Sequence, residues 1–123
     1  MGHRVLIQLE SDGYRSPHIY LHNGGYKEWL QPALAECERL MKSRGADLSY
    51  ATARLVGIFH ERIEGNLSLG IHSSDHELTA ADSHGDSGCL IINIDRFWSV
   101  TQMGSYEKEW TENERVTPEI ITE

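Results

Sequence analysis

Long apolar runs are missing from this chain of 123 residues: no stretch approaches the roughly 20 residues that a membrane-crossing helix needs. Cysteine is scarce. Cys37 and Cys89 lie far apart and form no CxxC pair, so the sequence has no thiol redox or zinc-ribbon motif, and two buried thiols are the expectation. Positive charge is in deficit, with 11 Lys and Arg against 19 Asp and Glu for a net charge of −8. Such a field repels phosphate backbones and no run of basic residues offsets it, so no direct nucleic-acid binding is expected. An acidic surface suits a basic protein surface instead, including one that normally holds DNA or RNA. Met1-Gly2-His3-Arg4 runs straight into a strand-like pattern with no apolar leader, which sets a cytoplasmic location and no membrane contact as the expectation.

What is present points to one folded α+β domain. Apolar residues at 39% are enough to bury a core, which excludes wholesale disorder. Val5, Ile7 and Leu9 alternate with Arg4 and Gln8 as in a half-buried strand. Ser11-Asp12-Gly13 signals a hairpin turn, and a second strand over 18–22 places His18, Tyr20 and His22 on the face opposite Ile19 and Leu21. Leu30, Ala33, Leu34, Cys37, Leu40 and Met41 form a helical stripe over about 29–44. Pro32 is confined to its first turn, and Gly45 stands in the left-handed position beyond its end. A second helix follows a cap at Asp47 or Ser49, with Leu48, Ala51, Leu55, Ile58, Phe59 and Ile63 in the same period, and Gly65 ends it. Strands then read at Leu67–Ile71, at the continuous apolar run Cys89–Ile94, and at Phe97–Met103. The expected fold is a mostly antiparallel sheet of about five strands in ββααβββ order, with a helical hairpin on one face. It occupies 1–104, and 105–123 reads as an acidic, partly ordered tail.

Residues 73–88 have no apolar periodicity, and a loop of that length in a small domain is often functional. Imidazoles and carboxylates gather there: His72, Asp75, His76, Asp82, His84 and Asp86 form the candidate functional loop. That donor set suits a divalent transition metal, although the sequence leaves open whether any metal binds. His72-x-x-x-His76 has helical ligand spacing without a helix or a following Glu, so it is not a zincin motif. Asp82–Asn93 lacks the Gly and the bidentate Glu of a calcium loop. Gly85-Asp86-Ser87-Gly88 spells a serine-protease nucleophile sequence, but the chain is too short for two β-barrels and carries helices mid-chain. His18, Tyr20 and His22 form a second candidate cluster. If the loop covers that sheet face, His18, His22, His72 and His84 converge. In the tail, Tyr106 and Trp110 are candidate exposed anchors for a partner.

Three segments carry a resemblance: Gly2-His3-Arg4 before a strand, Tyr20-Leu21-His22-Asn23-Gly24-Gly25-Tyr26, and Gly85-Asp86-Ser87-Gly88 leading into an apolar strand that ends at Asp95. Together they resemble small uncharacterised phage and prophage proteins with a Gly-x-Arg start and a Gly-Asp-x-Gly strand entry. Asn23 and Gly24 depart from that pattern, which has an aromatic and an acidic residue there. The resemblance implies a mobile-element origin and, by extension, an inhibitor of host defence of the anti-CRISPR type acting in the host cytoplasm. The leading expectation is therefore a protein-binding module without a cofactor, directed at a host nucleoprotein complex. Two alternatives stand beside it. One is a small metal-dependent hydrolase using the 72–86 loop, and the other is an assembly protein that self-associates through a sheet edge. The sequence does not fix the oligomeric state.

Overall fold

The structure, a computed structural model, describes residues 3–63 and 68–118. Strand β1 (Val5–Ser11) turns through Asp12-Gly13 into β2 (Tyr14–Arg15). Both turn residues have positive φ, 50° and 81°, the mirror-type turn that the right-handed twist of a hairpin favours. Buried Ser16 then holds the bend by taking the Leu9 N–H on its hydroxyl, and the chain re-pairs with β1 as β3 (Ile19–Leu21). Helices α1 (Lys27–Leu40) and α2 (Leu48–Arg62) follow, then β4 (Leu69–Ile71), a 3-10 turn (Ala80–Asp82), β5 (Gly88–Asn93), β6 (Ser99–Met103) and β7 (Glu114–Arg115).

The sheet has seven strands in the order β4-β3-β1-β5-β6-β7, with β2 on the same edge of β1 as β3. It is α+β and mostly antiparallel, as the sequence suggests, but with two more strands than the expected five and one parallel pair at its centre. β1 and β5 run parallel from Val5↔Gly88 to Glu10↔Asn93. That pairing accounts for the unbroken apolar run of β5, whose two faces are both covered. On one face Val5, Ile7, Leu9, Ile19, Leu21, Leu90, Ile92 and Val100 pack under Leu30, Ala33, Leu34 and Cys37 of α1 and Ala51, Leu55, Ile58 and Phe59 of α2. The other face carries a smaller cluster of Leu6, Leu78 and Cys89, flanked by Tyr20, Ile91 and Met103.

The helix boundaries show where local signals were overridden. Asp47 caps α2 as expected, its carboxylate accepting from the Tyr50 N–H. α1 starts two residues before the range its proline suggests, so Pro32 is the sixth residue of the helix rather than a first-turn residue. The early start has a tertiary cause: the Glu109 carboxylate accepts the Lys27 N–H, an otherwise orphaned donor. α1 also ends earlier, at Leu40, whose side chain is 43% exposed instead of lying in the buried stripe. Gly45 does take the left-handed conformation, at φ 73°.

The segment from 105, expected to be a partly ordered tail, is docked as far as it is described. Trp110 is 1% exposed and Val116 is fully buried in the main core, and β7 pairs with β6. Gln102 holds the segment by accepting the N–H groups of Glu109 and Trp110 on its side-chain oxygen. Lys27 pairs with Glu114 and reaches over the Trp110 ring. Trp110 is thus a core residue and is withdrawn as an exposed anchor, whereas Tyr106 is 81% exposed. Residues 119–123 of the expected tail, together with Gly65 and Leu67, lie outside the described residues. Truncating Trp110→Ala is expected to cost about 3–5 kcal/mol in urea unfolding, and Tyr106→Ala less than about 0.5 kcal/mol. Equal, small losses would contradict a docked segment.

Candidate functional site: an imidazole face held by one buried glutamine

The residues after β4 cross the second face of the sheet instead of looping into solvent. They begin by extending the ladder, with the His72 N–H on the His18 carbonyl and the His18 N–H on the Ser74 carbonyl at 2.9 and 3.2 Å. Gln8 then fixes them. Its carboxamide, fully buried on β1, donates to the carbonyls of Ser16, Asp75 and His76 at 3.0, 3.1 and 3.0 Å. Its oxygen accepts the Leu78 N–H at 3.0 Å. Leu78, the one large apolar side chain between 73 and 88, drops onto Leu6 and Cys89. Beyond it Thr79 and Asp82 form a reciprocal capping box around the 3-10 turn.

This path brings five of the seven histidines together. His18, 2% exposed, bonds through Nε2 to the His76 carbonyl at 2.7 Å, with its ring edge-on to His76 at 4.6 Å between centroids. The His72 ring lies 6.3 Å from that of His18 and nearly parallel to Tyr20, 5.7 Å away. The His84 ring meets Tyr20 at 5.5 Å, and the Tyr20 hydroxyl is 2.9 Å from His22 Nδ1. Half-buried Tyr20 contacts His22, His72 and His84, buried His18 contacts His72 and His76, and the four histidines other than His18 are exposed. His22 and His84 thus join His18, His72 and His76 through the Tyr20 ring, on the sheet face that the sequence suggested as one for the loop to cover.

The carboxylates divide differently. Asp82 accepts from His76 Nε2 at 2.9 Å, and this bond, reinforced by the Thr79 N–H, holds the Asp82 carboxyl below the ordinary range. The Asp75 side chain is exposed, and its contribution to the site is its backbone carbonyl. Asp86 belongs to another cluster. It accepts the backbone N–H and Nε of Arg4 at 3.2 and 2.9 Å, while Arg4 Nη2 donates to the His84 carbonyl at 2.9 Å. The Arg4 hydrogen bonds depress the Asp86 carboxyl. Gly25 sits in the same place, its N–H on the His3 carbonyl, and a Cβ there would collide with that carbonyl and with Ser87. The Gly-Asp-Ser-Gly segment, with Asp86 at φ 49° and Ser87 4% exposed, is thus a structural turn at the amino ends of β1 and β5. Tyr106 stands beside it, its ring against Gly85 and its N–H on the Asp86 carbonyl.

The chemistry open to this face is limited by what adjoins the imidazoles. Among the described residues no hydroxyl of Ser or Thr and no thiol is hydrogen-bonded to a histidine ring there. Cys89 and Cys37 are free and buried, and burial pushes their thiols to about 11 and about 12, so neither is a ready thiolate. No three His, Cys, Asp or Glu side chains among the described residues are arranged to hold a metal ion. The transition metal of the hydrolase alternative therefore lacks a ready ligand set among them. No helix of the described residues is long and apolar enough to cross a membrane. Comparison with protein-family models, curated proteins and solved structures finds no match.

Sequence reasoning missed Gln8, which reads as the solvent-facing partner of an alternating strand. The available signal was Leu78, an isolated apolar residue in a polar loop. Two outcomes follow. Gln8→Leu removes one hydrogen bond from each of four backbone groups of the bend and loop, of which the His76 carbonyl keeps His18, so unfolding is expected to become easier by about 2–4 kcal/mol, with faster amide exchange at Leu78. A variant as stable as the parent, with Leu78 still protected, would remove Gln8 as the anchor. For Asp86, the depressed carboxyl means that its stabilisation is complete above the ordinary aspartate value of about 4 and is lost as pH falls through the lower folded value. Asp86→Asn should flatten the fall in stability measured below about pH 4; an unchanged slope would deny the Arg4 pair that role.

Proposed function

We propose that the chain is a binding module that acts by contact with another protein, and that its contact surface is the imidazole–tyrosine face. The observation behind this reading is that a loop fixed in advance by Gln8 lays His72, His76 and His84 beside Tyr20 and His22 at β3, with Tyr106 adjoining. Rings on a pre-ordered backbone give contact area with few side-chain torsions to freeze, which is why such side chains concentrate at interfaces. Imidazole and phenol also offer both donors and acceptors to a partner. The finer reading is an inhibitor of a host nucleic-acid-targeting complex, anti-CRISPR-like in action. The net charge of −8 supports it, because a basic nucleic-acid channel attracts an acidic protein and the attraction speeds their encounter.

The test compares two variants of the immobilised chain against host extract and against purified nucleic-acid-targeting effectors. One carries His72→Ala, His84→Ala and Tyr106→Ala; the other carries Arg54→Ala and Glu61→Ala on the exposed side of α2. A partner held by the parent and by the α2 variant, but lost by the face variant, is the expected result. Retention unaffected by the face substitutions would move the contact surface elsewhere. Effector cleavage that proceeds at the same rate with and without the chain would end the inhibitor reading while leaving the binding reading to the capture result.

A further inference from the structure

A groove of about 600 Å³ opens away from the imidazole face, beyond the carboxyl ends of the parallel pair β1 and β5. The carboxyl edge of parallel strands is where open sheets most often receive ligands, and the volume is in the range of a small organic molecule. The end of α1 and the segment after β5 form its walls. Met41, Ile94 and Trp98 make an apolar floor, each 3–4% exposed.

The polar groups of the rim are asymmetric in a way that selects a ligand. All three of its carboxylates are committed to the protein. Glu36 pairs with Arg62 at 2.6 Å, and Glu38 accepts the Trp98 N–H and the Thr117 hydroxyl at 3.2 and 2.8 Å. Asp95 accepts the Ser11 hydroxyl at 2.6 Å and the Asp12 N–H at 3.3 Å. The three cations of the rim, Arg39, Lys42 and Arg96, make no ion pair and no side-chain hydrogen bond among the described residues. Donors are thus free where acceptors are used up. Three cations unpaired around one groove are unexpected in a chain with eight more acidic than basic residues.

The geometry points to a binding site for a small amphiphilic anion: a carboxylate, sulfonate or phosphate monoester on an apolar body. The acid group meets Arg39, Lys42 and Arg96, and the body lies on Met41, Ile94 and Trp98. With three carboxylates facing three cations, the rim is formally balanced, so the ligand carries one or two negative charges, not a polyphosphate chain. Bidentate guanidinium contacts favour planar or tetrahedral oxyanions over halide-like ions.

Anilinonaphthalene sulfonate, an apolar body with one sulfonate, is the probe, read by its fluorescence on titration. Phenylnaphthylamine serves as its neutral counterpart. Saturable binding of one probe per chain is expected, weakened by salt and weakened about tenfold or more in Arg39→Gln/Arg96→Gln. Arg54→Gln, on α2 outside the groove, should bind as the parent does. Both substituted arginines are exposed, and circular dichroism checks that the variants keep the fold. Absence of saturable binding, equal affinity in the double variant, or equally tight and salt-insensitive binding of phenylnaphthylamine would each overturn the proposal.

Discussion

The buried carboxamide of Gln8 is the interaction on which the second face of this protein depends. A polar segment can lie across a sheet only if its backbone donors and acceptors find partners there, because each one buried without a partner costs about 1–3 kcal/mol. A glutamine is among the few side chains that present donor and acceptor together on a neutral group, so it can be buried without desolvating a charge. Placed on the central strand β1, Gln8 serves the bend at Ser16 and the loop at Asp75, His76 and Leu78 at once. The imidazoles of the loop thereby come to rest against His18 and Tyr20. The site is built by a residue that is itself out of reach of any partner.

Two other regions divide the remaining work. At the amino ends of the parallel pair, Arg4, Gly25, Asp86 and Ser87 join three distant stretches of chain through one ion pair, backbone hydrogen bonds and a close backbone approach. These are the segments that carry the sequence resemblance, and they meet at one end of the sheet. At the carboxyl ends lies the groove, where the acceptors are spent on the protein and the donors are not. The docked segment around Trp110 is tied to β6 through Gln102 and to the start of α1 through Lys27 and Glu109.

Features set by neighbouring residues were legible in the sequence: the Asp12-Gly13 hairpin, the Asp47 cap, the Gly45 turn, the two apolar stripes and the strand run Cys89–Ile94. The shared face of His18, Tyr20 and His22 was legible too, because strand alternation alone dictates it. What depended on contacts between distant residues was not. Nothing local distinguishes a buried Gln8 from an exposed one, or a core Trp110 from a surface anchor. The start of α1 was misjudged because its first amide is served by Glu109, far along the chain. The groove was not legible for the same reason, since Arg96 is distant in sequence from Arg39 and Lys42 and joins them only where the chain leaves β5 beside the end of α1.

The most direct measurement of the central claim is nuclear magnetic resonance of the Gln8 side-chain amide in the intact chain. Protons buried in bonds to three carbonyls should be shifted away from free glutamine, exchange slowly with water, and show Overhauser contacts to the α-protons of Asp75 and His76. A side-chain amide that resonates and exchanges like a free one would contradict the account, because the loop and its imidazoles would then rest on the sheet without the anchor that places them.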